Sequence, residues 1–244
     1  MKEPLPFSVV YDDDNIIAVN KASGISVSDD RWDETRVRLD KIILESTPAL
    51  QRLFRVHRID RDTSGLVVFA KNNNSHSKLS RIFENHDIQK RYILIVHGRP
   101  LWKEEECSLP LVPDGNKKHA TIVDKYRGKK SLTKFSVLCS AGFFSVLEAF
   151  PETGRTHQIR VHAAALGFPV VCDSLYGNNK PVKLSSFKRG WRGDPAEEKP
   201  LLARLGLHAA ELRFPAGAVT DTELQLQAPL AKDMAALIKQ MEKL

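Results

Sequence analysis

The chain has 244 residues, of which 42% are hydrophobic, and a formal net charge of +7 with a pI near 9.3. This length and apolar content can support a sizeable core, so we expect one catalytic domain over residues 1–244 that can divide into two lobes. No apolar run approaches the ~18 residues of a membrane span, and no charged-then-apolar leader opens the chain, so we expect a soluble protein. The positive charge favours a polyanionic partner.

Apolar patterning predicts mixed α and β structure with many antiparallel strands. The predicted strands, which include two hairpins, span residues 7–11, 16–20, 66–70, 92–96, 131–139, 143–150 and 224–228. The predicted helices are centred on residues 39–43, 79–83, 156–166 and 234–241. Residues 178–204 are rich in Lys, Arg, Pro and Gly without a sustained period, which predicts a long surface loop.

Three cysteines, Cys107, Cys139 and Cys172, are far apart in the sequence. Their spacing matches neither a metal-ligand set nor a disulfide framework. We therefore expect a reducing, cytoplasmic setting and no metal site.

Residues 57–65, His-Arg-Ile-Asp-Arg-Asp-Thr-Ser-Gly, place carboxylates among basic side chains immediately before a predicted strand. Arg58 and Arg61 flank Asp60, and opposite charge nearby favours the ionised form of a carboxyl group. Asp60 is then available as a nucleophile or a base. The alternative is that Asp60 or Asp62 only closes an Asx-type turn.

Residues 153–162 carry two arginines and two histidines, namely Arg155, His157, Arg160 and His162. The segment runs into an alanine-rich stretch that ends at Gly167, which predicts a helix with Thr156 as its N-cap. The core-facing side of that helix would hold Ile159, Ala163 and Leu166, with Arg160 beside His157 on another face. A cleft-lining Arg160 needs an anion, which Asp60 or a phosphate could supply. The alternative is a helix whose polar face is solvated.

Four segments in this order resemble the RluA-type pseudouridine synthases: residues 57–65, residues 90–92, residues 153–177 and residues 207–214. The resemblance covers nearly the whole chain, from residue 20 to residue 230. It implies an α+β fold, with a mixed, mainly antiparallel sheet, flanking helices and a central active-site cleft. It also implies an isomerase that converts a specific uridine of structured rRNA or tRNA to pseudouridine, with no metal or organic cofactor.

The resemblance also assigns roles to individual residues. Asp60 takes the place of the catalytic aspartate, and Arg160 that of the arginine paired with it. Tyr92 falls where the family keeps an aromatic ring against the base, and Leu207 looks like the apolar residue across the uracil pocket. Arg58 sits where an arginine can fill the gap left by the flipped nucleotide. The further candidates for substrate binding are His57, Arg155 and His157.

These residue types suit the chemistry that the resemblance implies. Extruding a base from its stack costs a few kcal/mol, and stacking on an aromatic ring returns on the order of 1–3 kcal/mol. Tyr92 could in addition remove the proton from ring carbon five, although packing is the ordinary role of a strand tyrosine, and the sequence does not separate the two.

Positive charge is concentrated between residues 115 and 134, where Asp124 is the only acid. The candidate RNA-contact residues there are Lys117, Lys118, Lys125, Arg127, Lys129 and Lys130. Such a run can also be a solvated sheet edge. Residues 187–192 interleave aromatic and basic side chains, which indicates either an RNA-contacting tip or a disordered insertion.

Two positions depart from the family pattern: Ile59 replaces the usual leucine, and Cys172 stands where a glycine is expected. We also expect no separate N-terminal RNA-binding module, so that a monomeric catalytic domain itself recognises a compact stem-loop.

Two functions of other classes remain as alternatives. One is a non-catalytic RNA-binding or ribosome-assembly factor on the same fold. The other is a ribonuclease that uses His57, His157 or His162 as acid and base or as metal ligands. The sequence holds no carboxylate and histidine set with metal-ligand spacing, which argues against the second.

Overall fold

The computed structural model describes residues 5–27 and 37–243. Within these ranges the strands are β1 (Phe7–Asp12), β2 (Ile16–Lys21), β3 (Phe54–Arg55), β4 (Ser64–Ala70), β5 (Gln89–His97), β6 (Glu104–Cys107), β7 (Leu111–Val112), β8 (Ile122–Val123), β9 (Thr133–Ala141), β10 (Phe144–Pro151), β11 (Leu207–Phe214) and β12 (Leu224–Gln227). The helices are α1 (Leu39–Ser46), α2 (Asn73–Glu84), α3 (Gln158–Ala165) and α4 (Lys232–Met241). None of the helices in the described ranges is long and apolar enough to cross a membrane.

The strands and helices predicted from the apolar pattern are all present, and the predicted mixed, mainly antiparallel α+β class is confirmed. The pattern missed the short strands β3, β6, β7 and β8 and the longer strand β11. In β11 nearly every residue is buried, so its sequence, Leu-His-Ala-Ala-Glu-Leu-Arg-Phe, does not alternate between apolar and polar positions.

The chain divides into two compact units, of which the first comprises residues up to 90 together with residues 208–229. Its strands lie in the order β1-β2-β4-β11, with β3 paired to β4 and β12 to β11. Neighbouring strands are antiparallel except for β4 and β11, which are parallel. All seven residues of β4 are buried, as expected for a central strand rich in valine and leucine.

The core of the first unit lies between this sheet and α2. The Asn72 side chain begins α2 by accepting a hydrogen bond from the Ser75 backbone N–H at 2.8 Å, the usual role of an N-cap residue. The buried members of the core are Ile16, Ala18, Leu66, Val68, Ala70, Leu79, Ile88, Leu212, Phe214, Ala218, Leu226 and Ala228.

His57 is built into this unit as an uncharged group. Its Nε2 accepts a hydrogen bond from the Val68 backbone N–H at 2.9 Å, and its ring stacks on Phe83 with centroids 4.5 Å apart. Burial lowers the pKa of His57 to about 3, with a further lowering from the positive charge of Lys90. An acceptor at Nε2 requires an unprotonated nitrogen, so the hydrogen bond and the lowered pKa agree.

The second unit comprises residues 91–207 together with the residues from 230 onwards. Its strands lie in the antiparallel order β5-β10-β9-β6, and β7 and β8 form a separate two-stranded pair. Helix α3 contributes Ile159 and Ala163 to the core, as predicted. The other buried members are Leu94, Val96, Cys107, Phe135, Leu147, Ala149, Val170, Leu205 and Leu207.

Residues 178–204 hold little regular structure, but their apolar side chains anchor them. Val182 and Leu202 are buried and joined by backbone hydrogen bonds, which include the bond from the Val182 N–H to the Leu202 carbonyl at 2.8 Å. Phe187 is also buried and packs edge to face against Phe144. Phe187 therefore stabilises the fold, whereas the neighbouring basic residues Lys188, Arg189 and Arg192 are exposed.

Gly65 allows the parallel approach of β4 and β11. Its φ is +111°, and a Cβ there would overlap the backbone of Ala209. We predict that Gly65→Ala lowers the free energy of unfolding by about 2–4 kcal/mol, because both the backbone angle and the space exclude a methyl group. Gly154→Ala is the matched control, since nothing lies within 4 Å of its Cβ position, and it should change stability by less than about 0.5 kcal/mol. Denaturant unfolding measures both, and equal stabilities would contradict the prediction.

His57 should make stability depend on pH. Because its folded pKa lies below the unfolded value of 6.5, the unfolded chain binds a proton first as the pH falls. Stability that is present above about pH 6.5 is therefore lost between about pH 6.5 and pH 3, at no more than about 1.4 kcal/mol per pH unit. Unfolding at about pH 5 and pH 7 should show a smaller pH dependence for His57→Gln than for the wild type. The control His119→Gln, at an exposed position, should match the wild type, and an unchanged slope in His57→Gln would refute this assignment.

Candidate functional site

Asp60 opens a tight turn in the first unit. The Thr63 backbone N–H donates to the Asp60 carbonyl at 3.1 Å, which closes the turn over Arg61 and Asp62. Ile59 before it and Thr63 after it are buried, whereas Asp60 is partly exposed. The turn thus places the Asp60 carboxylate at a partly exposed position between the buried residues Ile59 and Thr63.

A second segment, residues 21–24, holds this turn from the side. The Lys21 ammonium donates to the carbonyls of Ala22 at 2.9 Å and Arg61 at 2.8 Å. The Gly24 N–H also donates to the Arg61 carbonyl at 2.9 Å, and the Ser23 hydroxyl donates to the Asp62 carbonyl at 2.7 Å. Because these bonds use backbone carbonyls, they fix the course of the turn through its main chain.

The other candidates of the first unit differ in exposure. Arg58 is exposed, which suits a residue expected to reach nucleic acid. Arg61 is exposed and pairs with the Asp62 carboxylate, at 3.1 Å between Nε and Oδ1. His57 is engaged with Val68 and Phe83 as described above, and its predicted contact with substrate stays a prediction.

In the second unit, Arg160 forms a buried bidentate ion pair with Asp173. Nε donates to Oδ2 at 2.7 Å and Nη2 to Oδ1 at 2.8 Å, and Arg160 is only 5% exposed. Burial acts to raise the pKa of Asp173, but the hydrogen bonds and charge of Arg160 and the N–H groups of Leu175 and Tyr176 outweigh it, so the net pKa is lowered. Asp173 is therefore one anion that Arg160 binds, and the pairing with Asp60 stays a prediction.

Tyr176 joins this ion pair to neighbouring segments. The Arg160 guanidinium carbon lies 5.1 Å from the centroid of the Tyr176 ring, a cation–π distance. The Tyr176 hydroxyl accepts a hydrogen bond from the Thr121 backbone N–H at 2.8 Å and exchanges another with His157 Nδ1 at 2.9 Å. Burial raises the pKa of the Tyr176 hydroxyl, which keeps it protonated and able to donate.

Cys172, which replaces an expected glycine, has a left-handed backbone with φ of +57°. Glycine adopts this region without strain, so the expected glycine and the observed angle agree. The buried Cys172 thiol donates to the carbonyls of Lys180 at 3.3 Å and Leu202 at 3.5 Å. The cysteine thus keeps a glycine-like turn before Asp173.

Helix α3 begins differently from the prediction. Its N-cap is His157, with φ of +54° and no capping side chain, and Thr156 lies outside the helix. Gln158 holds the approach instead: its Oε1 accepts from the Thr153 hydroxyl and the Arg155 N–H, and its Nε2 donates to the Leu132 carbonyl at 2.9 Å. The Thr156 prediction was wrong because a buried glutamine, rather than a hydroxyl, orders this turn.

Tyr92 and Leu207 belong to the same core cluster of the second unit. Tyr92 is partly buried on β5, where it pairs with Ala149 of β10, and it packs against the cluster. Leu207 is a buried member at the start of β11. Since α3 contributes to this cluster as well, the structure associates Tyr92, Leu207 and the Arg160 helix with one apolar layer.

Residues 111–130, hereafter the basic hairpin, comprise β7, β8, their connecting loop and a turn that returns to β7. The exposed cations on it are Lys117, Lys118, Lys125, Arg127, Lys129 and Lys130, which agrees with the exposure expected of them. Arg155, which lies just before α3, donates from Nε to the Lys130 carbonyl at 3.2 Å. The Thr121 bond to Tyr176 attaches the other side of the hairpin. The structure thus joins Arg155 and the basic hairpin in one surface.

Sequence reasoning missed several residues that position the site. Lys21 was given no role, although alternate residues of a strand share a face, and Lys21 therefore lies on the same face of β2 as the buried Ile17 and Val19. Nothing in the sequence pattern indicated a positioning role for Gln158. The buried pair Ser64 and His208, 3.0 Å apart between Oγ and Nδ1, was likewise unpredicted. Within residues 5–27 and 37–243, no three His, Cys, Asp or Glu side chains converge as a metal-ligand set.

Comparison with known proteins places this geometry in a family. Residues 15–165 match the family of RNA pseudouridylate synthases. The RNA pseudouridine synthase YjbO of Bacillus subtilis is 31% identical over 98% of this chain and 78% of its own length. The ribosomal large subunit pseudouridine synthase D of Zymomonas mobilis is 29% identical over 98% of this chain and 74% of its own.

Solved structures show the same fold. Human RNA pseudouridylate synthase domain containing 4 has a TM-score of 0.73 at 21% identity and covers 96% of this chain and 92% of its own. Human RNA pseudouridylate synthase domain containing 1 has a TM-score of 0.69 at 23% identity and covers 100% and 98%. From the sequence matches and the shared fold together, the chain belongs to the RNA pseudouridylate synthases, in their RluA-type branch, and is an isomerase that acts on RNA.

Proposed function

We propose that Asp60 is the nucleophile with which this isomerase converts a uridine of large-subunit ribosomal RNA to pseudouridine. The observation that carries the proposal is the turn at Asp60, whose backbone is held by Lys21, Ser23 and Gly24. A carboxylate on a preordered support reacts without reorganisation of the protein. Relatives from Zymomonas mobilis and Vibrio vulnificus are named ribosomal large subunit pseudouridine synthases, which favours ribosomal RNA as the substrate.

The reaction is an isomerisation, so atoms and electrons balance within the nucleotide. Asp60 attacks the uridine, and the bond between ribose carbon one and the base nitrogen breaks. The uracil turns, and ring carbon five bonds to ribose carbon one. Ring carbon five then loses its proton, ring nitrogen one gains a proton, and the Asp60 carboxylate is released, so the product has the same atoms as the substrate. Attack on the ribose and attack on the base ring both use the same Asp60 oxygen.

Four further residues, to which the resemblance assigns roles, act around the extruded nucleotide. Tyr92 provides an aromatic face for the uracil, and its partial exposure on β5 supports this role. Leu207 provides apolar contact, and Arg160 keeps its assignment as the arginine paired with Asp60. Arg58, exposed beside Asp60, enters the gap that the flipped nucleotide leaves in the helix.

The basic hairpin supplies the phosphate contacts of the substrate stem-loop. Arg155 extends its positive surface toward α3, because its guanidinium bonds the Lys130 carbonyl. Neutralising RNA phosphates releases counterions and contributes a salt-dependent part of the affinity. We also propose that the protein acts as a monomer in the cytoplasm, in keeping with its free cysteines Cys107, Cys139 and Cys172.

Asp60→Asn should lower the rate of isomerisation by at least about a thousandfold, because the amide is no nucleophile. RNA binding should survive. Pseudouridine mapping of total RNA, in cells that lack the protein and are complemented with wild type or variant, measures the effect and names the substrate.

Asp62→Asn is the matched control, two residues away with an exposed side chain paired to Arg61, and it should restore the map. An Asp60→Asn protein that restores it would refute the nucleophile assignment. A map that does not change on loss of the protein, or that changes only in tRNA, would refute the proposed ribosomal substrate.

Lys117→Ala combined with Lys118→Ala should weaken RNA binding and reduce the slope of log Kd against log salt by about 1.5, since each phosphate contact contributes about 0.7–0.9. Filter binding of total ribosomal RNA over a salt series measures both the affinity and this slope. Lys134→Ala is the control, because this lysine is already paired with Glu152 at 2.7 Å. Equal slopes in the wild type and the double variant would exclude the basic hairpin from phosphate contact.

A further inference from the structure

Tyr126 is 98% exposed, more than the other strongly exposed aromatic ring of the second unit, Phe143 at 76%. A single exposed aromatic ring is common on protein surfaces and by itself implies no function. Tyr126, however, lies in the basic hairpin between two cations, Lys125 and Arg127, so both its chemistry and its surroundings suit a nucleic acid.

The turn that carries Tyr126 is ordered by its own hydrogen bonds. The Asp124 carboxylate accepts from the backbone N–H groups of Tyr126 at 2.9 Å and Arg127 at 3.0 Å, and its Oδ2 accepts from Arg127 Nε at 2.8 Å. These backbone bonds, followed by the contact with the Arg127 side chain, lower the pKa of Asp124.

The base of the same turn is attached to β7. The Gly128 N–H donates to the Asp124 carbonyl, and Lys129 exchanges two backbone hydrogen bonds with Leu111 at 2.9 Å and 3.0 Å. A Cβ on Gly128 would overlap the backbone of Asp124 and Pro110. The ring of Tyr126 is therefore displayed on a preordered turn, which reduces the entropy that binding must cost.

Most of the positive charge on the described basic hairpin is not paired with an acidic side chain. Within the described part of the chain, five of its lysines form no ion pair, namely Lys117, Lys118, Lys125, Lys129 and Lys130. Phe143 offers the contrast: it is 76% exposed at the tip between β9 and β10, but its neighbours there, Ala141, Gly142 and Phe144, are uncharged. An exposed ring and free cations coincide at Tyr126 and not at Phe143.

From these observations we propose that the Asp124–Gly128 turn binds an unpaired nucleotide of the RNA substrate, with the base stacked on Tyr126 and the flanking phosphates on the lysines. The proposal rests on RNA being the substrate of the basic hairpin. Duplex RNA hides the faces of its bases, so an aromatic ring can stack only on a nucleotide in a loop, bulge or single strand. The substrate is then a stem-loop or a junction rather than a continuous helix.

The test measures the Kd of a fluorescein-labelled oligouridylate and of a duplex of the same length by fluorescence anisotropy. Tyr126→Ala should weaken binding of the oligouridylate by about tenfold and leave the duplex within about twofold, because loss of one base–aromatic stack has an effect of this size. Tyr126→Trp should restore the affinity, since it restores the aromatic face. Phe143→Ala is the matched control and should bind both probes as the wild type does.

Three results would overturn the proposal: unchanged binding of oligouridylate by Tyr126→Ala, an equal loss for both probes, or failure of Tyr126→Trp to restore affinity. Loss of a co-purified protein with oligouridylate binding unchanged would also overturn it in favour of a protein contact. Since binding is measured without turnover, these outcomes are independent of whether Asp60 catalyses isomerisation. A wild type that converts no uridine but needs Tyr126 for oligouridylate would refute the proposed function alone.

Discussion

The buried ammonium of Lys21 is the constraint on which the Asp60 turn depends. Lys21 is 1% exposed, and a charged group removed from water costs several kcal/mol unless hydrogen bonds replace its solvent. The carbonyls of Ala22 and Arg61 provide two of those bonds. Strand β2 and the Asp60 turn must consequently fold together, since neither can satisfy this charge alone.

Arg160 obeys a similar constraint in the second unit. Its bidentate bonds to Asp173 fix the plane of the guanidinium, and the Tyr176 ring lies near it. Removing either partner would leave a buried charge without compensation, which is strongly destabilising. The arginine is thus held before any nucleotide arrives. The Tyr176 hydroxyl also positions two neighbouring segments. It accepts a hydrogen bond from the Thr121 N–H in the basic hairpin and shares another with His157 Nδ1 at the start of α3.

Local patterns in the sequence predicted most of the fold. The alternation in residues 224–228 and the helical spacing of Leu79, Ile82 and Phe83 depend on neighbours only a few positions away, and β12 and α2 follow them. Strand β11 escaped prediction because its buried polar residues His208 and Glu211 interrupt the apolar run, so its sequence shows neither alternation nor a continuous apolar stretch. The resemblance assigned roles to Asp60 and Arg160 from their motifs, which need no knowledge of contacts.

Sequence patterns could not predict the residues that position the site, because their partners are distant in the chain. Lys21 binds a carbonyl 40 positions away in the chain, and Gln158 contacts residues of an earlier strand. Such pairings arise only from the tertiary fold. The Asp173 partner of Arg160 was likewise present in a recognised motif, but no spacing rule connects the two side chains. The left-handed angle of Cys172 could be anticipated in part, because a glycine was expected there.

Residues 178–204 illustrate how the protein can tolerate change in length. Val182 and Leu202 are paired through their backbones, so the two ends of the segment between them lie close together within the second unit. Changing the number of residues between Val182 and Leu202 alters mainly the entropy of loop closure, which varies slowly with loop length. Phe187, packed against Phe144, is the exception within that stretch. Related enzymes can therefore differ in the length of this segment while the strands on either side of it keep their register.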